Sequence, residues 1–343
     1  MLDKSNALEG TSTTPRRLTA EDRRELDSRG YVVIENALSS EQVRGLRARV
    51  DELTAAEGLS AGAVDQTPLQ LQVNRDDLGP AERLMALGYN AVFRAVHGVA
   101  RAGLFRWRPE LQLALAGRAG SPGFATPRRG VRPRASATRW GRIADEVREM
   151  LAAAAYTDGG AIRLADLVNK GPQFLDCLRV EPVLEAVRHV IGPQVRLSSL
   201  NYRAARPGGG LQVLHVDWDE AVPPGTFHAC NCIFMLDDFE QSNGATRVVP
   251  ETHLLGTRPL DALPDPLADH PDQIVVSAPA GSALVLNAHV WHGGTKNHTR
   301  HLRRALQCYL VRAGFPTQLA QRDYLRPETA DRLTPELEVL LGL

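Results

Sequence analysis

From Val195 onward the chain breaks into short alternating apolar runs with no helix-length periodic segment between them. The runs are 195–202, 211–218, 227–236, 245–249, 273–277, 283–287 and 303–311, punctuated by Gly, Pro and Asn. Seven short strands with turn signals between them predict a β-sandwich or barrel. The scarcity of intervening helices excludes a parallel α/β sheet. Helical signals lie mostly ahead of this region. Thr19 with Asp22 resembles a capping box, so a short helix is expected to about Ser28, ended by Gly30, with a strand at Tyr31–Ile34. Ser39 with Gln42 opens a second helix whose apolar positions are Val43, Leu46, Val50 and Leu53. Pro182 sits just inside a helix that ends at Gly192.

These signals organise the chain as one mainly β domain with flanking helices over 18–315. A polar tail at 1–17 precedes it, an insert at about 58–160 interrupts it, and a helical extension at 316–343 follows. Within the insert, 84–99 has a helical pattern and 118–138 reads as a loop. Between Arg94 and Arg148 there are twelve arginines against three acids. A solvated surface accounts for that run; the sharper alternative is a lid that meets an anionic substrate. Elsewhere charge is balanced, with a net charge of zero and a pI near 7.2. That balance gives no basis for a nucleic-acid or anionic-membrane partner. No secretory leader or membrane-length apolar run is present, so a cytoplasmic protein is expected. Cys177, Cys230, Cys232 and Cys308 form no C-x-x-C pair and read as buried thiols in a reducing compartment.

The residues that carry chemistry fall in two fragments. One is Gln212-Val213-Leu214-His215-Val216-Asp217-Trp218. The other is Val290-Trp291-His292-Gly293-Gly294, with Arg303 eleven residues beyond its His. On a strand, His215 and Asp217 at i and i+2 leave the same face, so one segment presents two ligands. A third must come from elsewhere, 75 residues on from Asp217. Chance alone supplies about 0.6 His-x-Asp triplets in such a composition, so the weight lies in the β context and the distal His. Alternation from Leu284 puts His292 on one face and His289 on the other, which favours His292 over His289 as the third ligand. Two imidazoles and a carboxylate, with no thiolate, suit Fe(II) or Mn(II) better than structural zinc, and leave positions open for a 2-oxo acid and O2. A guanidinium would hold the far carboxylate of such an acid. Arg303 and Arg304 point to opposite faces, and periodicity does not choose between them. Trp218 and Trp291 alternate with the ligands and are expected to point into packing.

The chain resembles the phytanoyl-CoA dioxygenase family of Fe(II)/2-oxoglutarate-dependent oxygenases. The likeness rests on Leu18-Thr19-Ala20-Glu21 with Gly30–Ile34, and on Gln212–Trp218. It rests also on Asn243-Gly244-Ala245-Thr246-Arg247-Val248-Val249-Pro250, and on His292-Gly293-Gly294 with Asn297 and Arg303-Arg304-Ala305. It covers 18–55 and about 170–315. The resemblance implies a double-stranded β-helix (jelly-roll, cupin-like) core. It implies His215, Asp217 and His292 as iron ligands, Arg303 as the partner of 2-oxoglutarate, and Gln212 and Thr246 as further hydrogen-bond partners of that cosubstrate. Glu251-Thr252-His253 departs from the family's usual Gly-Ser-His after that proline, so no role is carried onto His253. The expected reaction is O2-dependent hydroxylation of an unactivated C–H in a small organic, secondary-metabolite substrate, releasing succinate and CO2. Asp217 favours this over halogenation, in which halide takes the carboxylate's place. Desaturation, epimerisation or cyclisation at the same iron are alternatives, as are an O2-independent jelly-roll metal isomerase and a silent binding protein.

Overall fold

The computed structural model describes residues 17–57, 160–218 and 220–343. The expected tail (Arg17 apart), the helix at 84–99 and the loop at 118–138 lie outside those residues. Helix α1 (Ala20–Arg29) starts where Thr19 Oγ1 accepts from the Asp22 amide at 3.1 Å and the Asp22 carboxylate accepts from the Thr19 amide at 2.7 Å. This reciprocal cap satisfies two amides that would otherwise face the helix end unpaired. Gly30, at φ 82°, turns the chain directly into strand β1 (Tyr31–Ile34). Helix α2 (Ser40–Ala56) is capped the same way by Ser39 and Gln42, and buries Val43, Leu46 and Val50.

Strand β2 (Ala161–Leu164) and helices α3 (Pro172–Cys177) and α4 (Glu181–Ile191) lead into β3 (Val195–Ala205). Then follow β4 (Ala229–Met235), β5 (Thr246–Val249), β6 (Ile274–Val275), β7 (Ala283–Asn287), β8 (Trp291–Gly294) and β9 (Arg303–Arg312). They form two antiparallel sheets, in the orders β1-β7-β4-β9-β3-β2 and β6-β5-β8. This is a jelly-roll core with helices packed outside.

Alternation along the large sheet decides where its core and cavity lie. Cys232 and Phe234 on β4, and Leu306, Cys308 and Leu310 on β9, face outward. They pack under Leu26 of α1, Leu46 of α2, Phe174 of α3 and Val187 of α4. Each such fully buried apolar side chain contributes about 1.5–3 kcal/mol. The four cysteines are free and belong to these buried layers. The intervening residues face the small sheet. There Ile233, Met235, Leu284, Leu286 and Ala305 pack with Val248 and Phe239, forming a second apolar core between the sheets. Leu337, Leu340 and Leu341 of the last helix (Pro335–Leu341) return to the outer core. Among the described residues, no helix is long and apolar enough to cross a membrane.

Two strand expectations need correction. Residues 211–218 are not a strand: only His215 is bridged, to His292. The backbone there finds partners outside any ladder. The Leu214 amide donates to Pro266 O at 2.8 Å, and the Gln212 carbonyl accepts from Arg247 at 2.9 Å. Nor does one strand run from 284 to 292. The Asn287 side chain accepts from the His289 amide at 3.0 Å and its carbonyl from the Val290 amide at 2.9 Å. That turn resets the phase and carries the chain from the large sheet to the small one. Alternation counted from Leu284 is therefore no valid ground for choosing His292.

Arg247, 1% exposed, holds the irregular segment in place. Besides Gln212 O it donates to Ala268 O at 3.0 Å and Leu267 O at 3.2 Å. Arg247→Leu would remove the shared donor of these partly buried carbonyls, at about 1 kcal/mol for each hydrogen bond lost. We expect the variant to unfold about 2–4 kcal/mol more easily in urea.

Candidate metal centre

His215 and His292 stand directly opposite each other. The His215 amide donates to His292 O at 2.9 Å and the His292 amide to His215 O at 3.0 Å, a reciprocal antiparallel pair. Their rings lie on the same side, with centroids 4.4 Å apart and planes tilted by 46°. The two strand-like segments can approach because β8 ends in Gly293 and Gly294. A Cβ on Gly293 would come within 2.8 Å of Val213 O, and one on Gly294 would overlap Gly210 O. Glycine is required here for space.

Both imidazoles are oriented by their own backbone. His215 Nδ1 lies 2.9 Å from Val213 O, and His292 Nδ1 lies 3.0 Å from Val290 O. A carbonyl can only accept, so each Nδ1 carries a proton and Nε2 is the nitrogen each ring can offer to a metal. Asp217 completes the cluster, with Oδ1 3.8 Å from His215 Nε2 and Oδ2 3.4 Å from His292 Nε2. One donor atom from each of the three residues lies within 4.8 Å of the others. Burial, followed by the neighbouring His292, holds the His215 imidazole down at about 4, so it is neutral at pH 7. A neutral imidazole is the form that binds a metal.

The backbone of Asp217 is tied down separately. Its amide donates to Ala288 O at 2.8 Å, and its carbonyl accepts from Tyr309 Oη at 2.9 Å. Its Oδ2 accepts from Asn231 Nδ2 at 2.8 Å.

The cluster opens into a cavity of about 280 Å³ whose lining includes Gln212, Thr246, Asn231, Tyr309 and Arg303. Arg303 is 2% exposed, lies with its guanidinium carbon 4.5 Å above the Phe239 ring, and donates to Gly244 O. Its Nε has no hydrogen-bond partner, and among the described residues no carboxylate forms a salt bridge with it. Burial lowers its pKa to about 10, which leaves it charged at neutral pH. Arg304 faces the other way and is neutralised by Asp237 and Asp51, at 3.0 Å each. The choice that periodicity left open is thus made by the sheet: Arg303 is the arginine inside. Thr246 is buried beside Gly294, its cross-strand partner. Gln212 accepts at Oε1 from the Gly294 amide at 3.0 Å, so its side chain braces that backbone while the residue lines the cavity.

His289 points away from the cluster. Its Nε2 lies 3.0 Å from Glu220 O and its ring packs on Phe227. The tryptophans also turn into packing: Trp218 against His228 and Phe315, and Trp291 with its indole N–H on Thr257 O at 2.8 Å. Asn231 and Tyr309 were not singled out from sequence. Asn231 carried a signal, being the lone carboxamide in the otherwise apolar run Ala229–Met235.

Comparison with known proteins places the chain. A family model described as phytanoyl-CoA dioxygenase matches residues 26–305. Dioxygenase trt7 of Aspergillus terreus is 30% identical over 191 residues, which cover 52% of this chain and 64% of that protein. Dioxygenase FrzG of Cladobotryum sp is 31% identical over 150 residues, covering 40% of this chain and 47% of that protein. The chain thus spans less than two thirds of the length of these curated relatives. Among solved structures, the non-haem alpha-ketoglutarate-dependent carbocyclase SnoK from nogalamycin biosynthesis has a TM-score of 0.50 at 15% identity, over 94% of each chain. That likeness is one of fold.

Gly294→Ala tests the close approach of the two segments. The added methyl meets the Gly210 carbonyl and must push the Gln212–His215 segment off β8. We expect a loss of about 1–3 kcal/mol of stability, together with faster hydrogen exchange at the His215 and His292 amides.

Proposed function

The chain belongs to the phytanoyl-CoA dioxygenase family, and we propose that it is a non-haem Fe(II)- and 2-oxoglutarate-dependent dioxygenase that hydroxylates a small organic molecule. One observation carries this reading. Two imidazoles and a carboxylate converge in the same cavity as a buried arginine that forms no salt bridge among the described residues. The donor set fits ferrous iron: two borderline nitrogens, one hard oxygen and no thiolate, arranged on one side. His215, Asp217 and His292 hold the ion in this reading. When bound, iron with 2-oxoglutarate and O2 supplies the oxidising equivalents for C–H attack.

The chain's own residues do the rest. Arg303 takes the far carboxylate of 2-oxoglutarate through a charge-assisted fork, which fixes the cosubstrate's direction in the cavity. The Phe239 face below the guanidinium and the Gly244 carbonyl hold that cation before the anion arrives. Gln212 and Thr246, which both line the cavity, add side-chain hydrogen bonds to the cosubstrate in this reading. Asp217 occupies the position that halide requires in related halogenases, which supports hydroxylation. Succinate and CO2 leave with the oxidised product. The names of two relatives, dioxygenases trt7 and FrzG, accord with a dioxygenase reaction.

An oxygen electrode with Fe(II) and 2-oxoglutarate tests the reading. Slow O2 uptake matched by succinate is expected without added substrate, and should fall below detection in His215→Ala, Asp217→Ala and His292→Ala. Arg303→Leu should raise KM for 2-oxoglutarate about 10–100-fold, as expected for losing a charged hydrogen bond worth about 1.5–3 kcal/mol. Undiminished succinate formation in the ligand variants would refute the assignment.

A further inference from the structure

The Asp217 carboxylate is held by a residue that no packing requirement explains. Asn231 lies on β4 between its cross-strand neighbours Leu286 and Tyr309, is 7% exposed, and lines the cavity. Its Nδ2 donates to Asp217 Oδ2 at 2.8 Å. Chemistry fixes the orientation of this amide, because turning it over would aim Oδ1 at a carboxylate oxygen. The fixed orientation has a cost. Asn231 Oδ1 is buried with no hydrogen-bond partner. A buried orphan acceptor destabilises a fold, and a native structure that keeps one calls for an explanation.

Anchoring the chain at Asp217 does not supply that explanation. The Asp217 amide and carbonyl are already engaged by Ala288 O and Tyr309 Oη, neither of which involves Asn231. What Asn231 adds acts on the side-chain oxygen alone. Resting on the metal-site reading above, we propose that Asn231 is a positioning residue that makes Asp217 a one-oxygen ligand. By occupying Oδ2, it turns Oδ1 toward the ion and stops the carboxylate from closing on the metal with both oxygens. A carboxylate that bound through both would take one of the positions a chelating 2-oxo acid needs. The amide therefore governs ion affinity and the room left for the cosubstrate. Hydrogen-bonded partners of metal-ligating carboxylates act in this way, and removing them typically weakens metal binding about 10–100-fold.

The test uses the full chain with Mn(II), a spin probe, in place of iron. Free Mn(II) is followed by electron paramagnetic resonance, and the metal-free melting midpoint is measured alongside it. Asn231→Leu is of similar size and removes both the donor and the orphan acceptor; Asn231→Ala removes them in a smaller side chain. Both should raise the Mn(II) dissociation constant about tenfold or more. The metal-free midpoint of Asn231→Leu should hold or rise. KM for 2-oxoglutarate should rise in both variants. The visible absorption of the Co(II)-loaded protein, which reports coordination number, should differ between Asn231→Leu and the parent. Mn(II) affinity within twofold of the parent in either variant that folds overturns the proposal, as does an unchanged Co(II) spectrum. A lower melting midpoint with unchanged affinity would make Asn231 a packing residue. Should neither variant fold, the residue is structural and the proposal fails. His215→Ala separates the two levels of inference: a parent that binds Mn(II) no better than His215→Ala overturns the metal site itself, and this inference with it.

Discussion

The reciprocal hydrogen bonds between the His215 and His292 backbones are the joint on which the centre depends. They place two imidazoles from distant parts of the chain side by side and in phase, because opposite residues of an antiparallel pair share a face. Everything near the joint serves to keep it. Gly293 and Gly294 allow the approach, Arg247 holds the Gln212–His215 segment from below, and the Asn287 turn delivers β8 to the small sheet at the right height. The segment bearing His215 and Asp217 has little ladder of its own. Its rigidity is borrowed from a buried guanidinium and from Pro266.

The electrostatics of the cavity follow from the same arrangement. One part of the cavity gathers two imidazoles and a carboxylate, and its wall also carries Arg303, which forms no salt bridge among the described residues. Burying a charge is costly, and at 2% exposure Arg303 meets that cost with the Gly244 carbonyl and the Phe239 face. Arg304, one residue on, shows the contrast. It lies on the outer side of the sheet, paired with Asp237 and Asp51. Alternation on a single strand thus sends one of two adjacent arginines to the cavity and the other to the acids on the outer face.

Much of this was legible in the residues, and the failures have physical causes. The caps at Thr19 and Ser39 and the strands from Val195 on are local signals, and local chemistry governs them. The His-x-Asp segment read as a strand because its side chains alternate. Its backbone partners, however, are an arginine side chain and a loop carbonyl that no local pattern announces. The crossing at Asn287 was signalled by an Asx residue at a strand end, but the apolar run through Val290 hid it. Arg303 and Arg304 could not be told apart by period, since both faces of that strand are buried. Asn231 illustrates the deeper limit. Its polarity stood out in an apolar run, yet its partner lies 14 residues away on a segment with no ladder, so only the fold brings them together.

The most direct measurement is a crystal structure of the anaerobic protein with Mn(II) and 2-oxoglutarate. The account predicts one ion about 2.0–2.2 Å from the Nε2 atoms of His215 and His292 and from a single oxygen of Asp217, with the cosubstrate's far carboxylate on Arg303. An ion bound elsewhere, or one that leaves either imidazole outside its coordination sphere, would contradict it.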